Sequence, residues 1–360
     1  MRTTSVAQVA PPMTREPDER VNWPASIPFL AFHLTPLLLL WTGISTKAIV
    51  LGLVTYWGRM FFITAGYHRY FSHRTYRLGR IPQFLMALGG TTSLQKGPLW
   101  WAANHREHHR YSDTEQDVHS PQKGFWWSHV GWILCDKFKG TDESRIKDFA
   151  KYPELRWLNR HEQIPAFALA FLCLAIGGWS GLVVGFFVST IVLWHSTFFV
   201  NSLAHVMGRR RYATEDTSRN SVFIAVLTMG EGWHNNHHYA PSSCRNGFFW
   251  WEWDPTFYTL KALSWVGVVR DMKSPPARVL AANRLKDGSL DIGMFRANWT
   301  KAARAVTAAG VRRGEQVHAL QEDLRVRKAT LESLLDTSLE SATELATTIK
   351  QGQREVLREA

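Results

Sequence analysis

Thirty-seven consecutive residues, Ile164–Val200, contain no Asp, Glu, Lys or Arg. As one straight helix such a run would reach about 55 Å at ~1.5 Å per residue, far beyond a bilayer core of ~30 Å that ~20 helical residues cross. The turn-forming stretch Gly177-Gly178-Trp179-Ser180-Gly181 divides it near the middle. The pattern predicts a membrane hairpin with spans at about 164–177 and 181–203; the soluble alternative is a buried helical hairpin. A second such pattern precedes it. Between Ile27 and Gly66 only Lys47 and Arg59 are charged, and Ser45-Thr46-Lys47 interrupts the apolar run. Two further spans are predicted at about 27–44 and 48–67, the first with Pro28, His33 and Pro36 inside it. The fold class that follows is all-α, with four transmembrane helices in two hairpins.

Charge sets the expected orientation. The chain carries 42 Lys+Arg against 30 Asp+Glu, a net +12. Residues 68–162 hold 15 of the basic residues, Arg209-Arg210-Arg211 follow the last span, and the turns between paired spans are short. The positive-inside rule then places both termini and the 68–162 segment in the cytoplasm, in a bacterial inner membrane or, alternatively, the endoplasmic reticulum. The excess charge is that of a basic face beside anionic headgroups; no nucleic-acid module accompanies it. Residues 1–22 have no apolar run of signal-peptide length and read as a flexible cytosolic lead. Residues 23–280 form the membrane domain. Residues 281–360 read as a helical polar extension, with an approximate heptad at Val317, Leu320, Leu324, Leu331, Leu334 and Leu345. Three cysteines build neither a disulfide framework nor a thiolate metal site.

Of 15 histidines, eight fall in three boxes: His68-Arg-Tyr-Phe-Ser-His73, His105-Arg-Glu-His108-His109 and His234-Asn-Asn-His237-His238. A ninth, His205, lies four residues after Asn201. Residues i, i+3 and i+4 share a helix face, so the second and third boxes each project their rings together, as Asn201 and His205 do. His68 and His73 are five apart, about 140° around an α-helix. They meet one metal only if the helix ends or bends between them; otherwise they serve different metals. His68 and His205 stand at span ends on the same side as the other boxes, so all nine can converge beyond one membrane face. Imidazole suits Fe, Zn, Cu and Ni, and nine rings exceed the ligand shell of one zinc, so two metals is the natural count. A redox-inert zinc site is the rival. Nearby carboxylates, Glu107, Asp113, Asp117 and Glu231, are candidates to accept ring N–H bonds.

These boxes resemble those of the integral-membrane fatty acid desaturases, stearoyl-CoA Δ9 branch. Thr64-Ala65-Gly66, Asp117-Val118-His119-Ser120-Pro121, the 124–132 stretch GFWWSHVGW and Asn201-Ser-Leu-Ala-His205 match as well, and the resemblance covers roughly residues 25–265. It implies four spans under a cytosolic helical cap holding two irons. It implies O₂ as co-substrate and a cis double bond, Δ9 in this branch, placed in a long acyl chain carried on CoA, lipid or acyl-carrier protein. The implied ligands are His68, His73, His105, His108, His109, His205, His234, His237 and His238, with Asn201 reaching one iron through water. His119 and His129 recur in the pattern without being ligands. Thr197 and Phe198 would shape the acyl tunnel, and Tyr56 and Met60 would close it. Ala103-Asn104 and Asp136-Lys137 stand where acyl-CoA enzymes have Arg-Asp and Arg-Lys. Arg69, Arg74, Arg77, Arg110, Lys137 and Lys139 remain as candidates to meet phosphates or an acidic electron carrier. No haem, flavin or Cys-cluster motif is present, so electrons would come from a separate ferredoxin, rubredoxin or cytochrome b5. A related membrane hydroxylase is the alternative chemistry.

Overall fold

The computed structural model describes residues 13–290, and 321–323 and 325–326 beyond them. The chain divides into two compact units, residues 1–299 and 300–360. Of the second, the described residues are helical; the predicted heptad positions lie outside the described residues.

In the first unit helices α1 (Trp23–Phe32), α2 (Thr46–Ser72), α3 (Arg80–Thr91), α4 (Pro98–Tyr111), α5 (Ile164–Leu182), α6 (Ser189–Asn201), α7 (His234–Tyr239) and α8 (Pro255–Trp265) carry most of the structure. Shorter helical turns join them. The described sheet is minimal: β1 (Arg77–Leu78) pairs antiparallel with β2 (Val269–Arg270). Three helical segments are long and apolar enough to cross a membrane, Trp23–Thr42, Thr46–Ser72 and Ile164–Val206. They turn large apolar side chains outward, among them Leu40, Trp41, Phe167 and Phe171.

The first segment begins earlier than the predicted 27–44, because Asn22 caps it by accepting from the Ala25 N–H and Pro24 sits in its first turn. It loosens into a tighter turn over Thr35–Leu38, where Pro36 supplies no N–H, and ends at Gly43 with φ +64. Ser45 then caps α2 through the Ala48 N–H. The 43-residue segment is not straight. Gly178, at φ 62 and ψ −160, interrupts it. Past the break the chain runs back along α5: a side chain at Gly181 would meet the Cys173 carbonyl at 2.7 Å, and one at Gly185 the Cys173 Sγ at 3.3 Å. Residues 173 and 185 would stand ~18 Å apart on a straight helix.

Two expectations shift at the ends. The lead read as flexible over 1–22 includes a docked stretch: Glu19 is buried against Lys123 at 2.7 Å, and Asn22 N–H donates to the Leu134 carbonyl at 2.9 Å. Residues 281–290, assigned to the extension, are tied to the first unit, since Trp251 Nε1 donates to the Gly288 carbonyl at 2.9 Å and Tyr212 bridges Arg284. An ordered partner on each side, rather than local polarity, decides both.

Candidate metal centre

The last turns of α2, Phe62–Ser72, wind wider than an α-helix, and the His73 N–H donates to the His68 carbonyl five residues back at 3.2 Å. That closure answers the five-residue spacing. It brings His73 back over His68, with ring centroids 4.9 Å apart. Wide turns of this kind concentrate at functional sites. On α4, His105 and His109 turn to one side and His108 to the other. On α7, His234 and His238 turn one way and His237 the other.

All nine box-type histidines are thereby brought into two adjacent groups, one nitrogen from each ring. His68, His73, His105, His109 and His237 form the first, and His108, His205, His234 and His238 the second. Within each group the nitrogens lie within 4.8 Å of one another. Facing Nε2 pairs stand at 2.9 Å (His73, His105), 3.0 Å (His68, His237; His109, His237) and 3.1 Å (His205, His234). With metal–imidazole bonds of about 2.0–2.1 Å, right-angle ligand pairs stand about 2.9 Å apart and tetrahedral ones about 3.4 Å. Separations of 2.9–3.1 Å are those of rings close enough to share one metal, and five nitrogens exceed the four-ligand shell of a tetrahedral zinc. His238 Nε2 and the Nδ1 atoms of His234 and His237 are buried without a hydrogen-bond partner.

Four rings are held from behind by carboxylates. Glu231 Oε2 lies 2.6 Å from His68 Nδ1, and Asp216 Oδ2 accepts from His238 Nδ1 at 2.8 Å. Asp117 takes His108 Nδ1 on both oxygens, at 2.9 and 3.0 Å, and Asp113 faces His205 Nδ1 at 3.2 Å. A proton kept on Nδ1 leaves Nε2 with its lone pair free. Glu107 instead pairs with Arg145. Sequence spacing offered no signal for Asp216, which arrives from the loop after the basic run. The Asn residues of the third box do structural work: Asn235 Oδ1 accepts from the Arg211 and Tyr212 N–H groups at 2.7 and 2.8 Å, and Asn236 Nδ2 donates to Glu252 at 2.8 Å. They fix a helix of six residues that could not hold itself.

Burial, then repulsion among neighbouring rings, keeps His73, His105, His109, His234 and His237 well below the ordinary imidazole range, so they are neutral donors of lone pairs. Burial opposes charge on Asp117, but His108 and His119 outweigh it and hold the carboxyl well below its usual range. Asp113, likewise opposed by burial and rescued by His205 and Thr217, falls to about 2. His119 packs on the His108 ring with centroids 4.1 Å apart and offers Asp117 only a 3.9 Å contact. Burial and His108 push it down to about 3.

His129 stands elsewhere. Its Nδ1 meets Ser202 Oγ at 3.0 Å and its Nε2 meets His195 Nδ1 at 3.0 Å; His195 Nε2 lies 3.1 Å from His33 Nε2, whose Nδ1 donates to the Phe29 carbonyl at 2.7 Å. This file of three rings was not visible in spacing, because its members come from three separate segments.

A cavity of about 660 Å³ reaches the first group at His105 and also touches His119 and Asn201. Thr197 and Phe198 line it with Phe29, Phe32, Trp101 and Trp194. Thr197 Oγ1 accepts from Gln95 Nε2 at 2.9 Å. Tyr56 and Met60 pack one layer behind, against Leu193, Trp194 and Phe198, with the Tyr56 hydroxyl donating to the Leu227 carbonyl at 2.8 Å.

The model of the fatty acid desaturase family matches residues 41–264. This chain belongs to that family. It is a fatty acyl desaturase, an oxidoreductase of lipid metabolism. The desaturase is 36% identical over 281 residues to the sn-2 palmitoyl-lipid 9-desaturase of Nostoc sp. (strain 36), covering 76% of this chain and 97% of that one. To the sn-1 stearoyl-lipid 9-desaturase of Anabaena variabilis it is 38% identical over 258 residues, 71% and 94% of the two chains. The icosanoyl-CoA 5-desaturase of Limnanthes douglasii is 36% identical over 246 residues, 67% of this chain and 68% of that one. Similar relatives thus differ in the carrier that their names give.

Proposed function

We propose that this desaturase uses O₂ and a di-iron centre to place a cis double bond at Δ9 of a saturated acyl chain esterified to a membrane lipid. The observation that carries the reading is the paired histidine groups with an apolar cavity ending on one of them. His68, His73, His105, His109 and His237 would hold one iron, and His108, His205, His234 and His238 the other, with Asn201 contributing through water. Bound there, the irons supply activation of O₂ and hence removal of hydrogen from an unactivated methylene, which side-chain acid–base chemistry cannot do. The balance is one –CH₂–CH₂– unit, O₂, two electrons and two protons giving one –CH=CH– and two waters. The protein's own part is positional. Glu231, Asp117, Asp113 and Asp216 keep ring lone pairs aimed inward. Phe29, Phe32, Trp194 and Phe198 exclude water and hold the chain in register, with Thr197 tied to Gln95 at its side and Tyr56 and Met60 backing the far wall.

The fold back at Gly178 and the turn at Gly43 support four crossings, with the metal centre, both termini and the basic loops on the cytosolic face of a bacterial inner membrane. A separate acidic electron carrier of ferredoxin, rubredoxin or cytochrome b5 type would supply the electrons. The test is expression in a host of known lipid composition, with double-bond mapping and iron analysis. A mass loss of two at C9–C10, abolished by His108→Ala in protein that still inserts, is expected. A gain of sixteen, or full activity without iron, overturns the reading.

A further inference from the structure

The relatives divide between lipid and CoA carriers, and the two differ most in charge. The charges around the cavity are therefore informative. Its lining includes two lysines, Lys96 and Lys139, and both are matched: Lys96 lies 3.0 Å from Glu162, and Lys139 pairs with Asp136. Lys137 stands between the lining residues Leu134, Phe138 and Lys139, and its partner comes from the N-terminal stretch. Asp18 Oδ1 is 2.9 Å from Lys137 Nζ, and Glu19 Oε1 is 3.5 Å from it and 2.7 Å from the buried Lys123. The stretch is pinned along the same wall. Val21 bridges Cys135, Asn22 N–H donates to the Leu134 carbonyl at 2.9 Å, and Asn22 Nδ2 donates to Asp136 at 2.8 Å. It runs on into α1, whose Ala25, Pro28, Phe29 and Phe32 line the cavity. Of the other basic residues that could have met phosphates, Arg69 is buried on Glu231 and Asp254, Arg74 and Arg77 face Asp148 and Asp271 at the surface, and Arg110 lies over the Tyr111 ring.

We propose that Asp18 and Glu19 form a charge filter at the cavity wall: by cancelling Lys137 and Lys123 they fit the site to an acyl chain on an uncharged lipid and disfavour one carried on a polyphosphate such as CoA. The inference rests on the desaturase reading above and adds which residues set the carrier. Asp18 acts through Lys137, so it is a positioning residue, and its side chain is 62% exposed, which makes its replacement safe for folding.

The experiment uses the full chain in liposomes of neutral glycerolipid, with its electron donor, and measures the ratio of palmitoyl-CoA to palmitoyl-glycerolipid turnover. Asp18→Asn should raise that ratio about threefold and Asp18→Lys about tenfold, the scale of one and two partly exposed charges. Asp18→Glu should leave it at the wild-type value. Both gains should vanish at about 0.3 M salt, and the Asp18→Asn gain should vanish in the double variant with Lys137→Ala. An unchanged ratio in Asp18→Lys, an Asp18→Asn gain that survives Lys137→Ala, or a wild type that turns over CoA as readily as lipid overturns the filter while leaving the desaturase reading intact. No double bond in either substrate overturns both.

Discussion

Asp117→Asn is the sharpest test of how the centre is held. The carboxylate is fully buried and receives three N–H groups: His108 Nδ1 on both oxygens, the Asp113 N–H on Oδ2 at 2.8 Å and the His119 N–H on Oδ1 at 3.1 Å. Asparagine has the same shape but one acceptor. Whichever way the amide turns, its NH₂ faces either the Asp113 or the His119 N–H, donor against donor. One orphaned buried donor costs about 1–3 kcal/mol, and the charge-assisted bond to His108 is lost as well. His108 can then move its proton to Nε2 and withdraw a lone pair from the second group. Metal affinity should fall about 10–100-fold, the usual scale for losing such a partner. The assay is iron per protein after graded exposure to a chelator, read beside thermal stability. Glu154→Gln, in an exposed pair with Arg80, is the control and should shift neither by more than about 0.5 kcal/mol. Iron retention in Asp117→Asn equal to wild type, at unchanged stability, would refute the claim that this carboxylate orients His108.

Three further outcomes follow from named residues. His119 and His129 are held neutral by burial, then by His108 and His195 respectively, down to about 3 and 4. Their folded values lie below the unfolded ~6.5, so as pH falls below 6.5 the unfolded chain takes protons that the folded one refuses. Stability should drop by about 1.4 kcal/mol per pH unit for each group; a melting temperature flat from pH 7 to 5 would contradict this. Gly178→Ala places a side chain in open space but at φ 62 and ψ −160, so the cost is backbone strain of about 1–3 kcal/mol, visible as reduced yield and melting temperature; an unchanged melting temperature counts against the turn assignment. Met60→Ala, at a fully buried site behind Phe198, should lengthen the preferred acyl chain and cost about 2–5 kcal/mol, and an unaltered product profile removes Met60 from the tunnel end.

What the sequence disclosed and what it withheld divide along a physical line. The uncharged runs announce membrane helices because hydrocarbon filters composition strongly, and Gly178 falls inside the predicted break because few other residues adopt its conformation. The boxes are legible because ligands must be a particular residue type. Their division is not: i+3 and i+4 neighbours share a face, yet His108 and His109 part, since two adjacent groups of rings divide that face. The wide winding after Phe62 is likewise unreadable, because it is chosen by what the rings must reach and not by Phe62–Ser72 itself. Asp216, His33 and His195 escape notice for one common reason. Each matters through a partner 22 or more residues away, and a spacing rule sees only its own element.

The carboxylates have a purpose beyond orientation. Imidazole ligands bring no negative charge of their own to a metal, and a bare pair of divalent ions in a buried setting would be costly to bury. Behind the rings stand Asp113, Asp117, Asp216 and Glu231, and Glu231 shares the buried Arg69 with Asp254 at 3.0 Å. These carboxylates would offset part of the charge of two divalent metals bound among the rings. The remaining buried acid nearby, Glu252, is matched by Arg211 at 2.9 Å. The anions thus stand one ring removed from the positions that bound metals would take. In the proposed di-iron reading, imidazoles whose far nitrogens meet these carboxylates would stand in for direct carboxylate ligation and would offset the cost of burying the metals' charge.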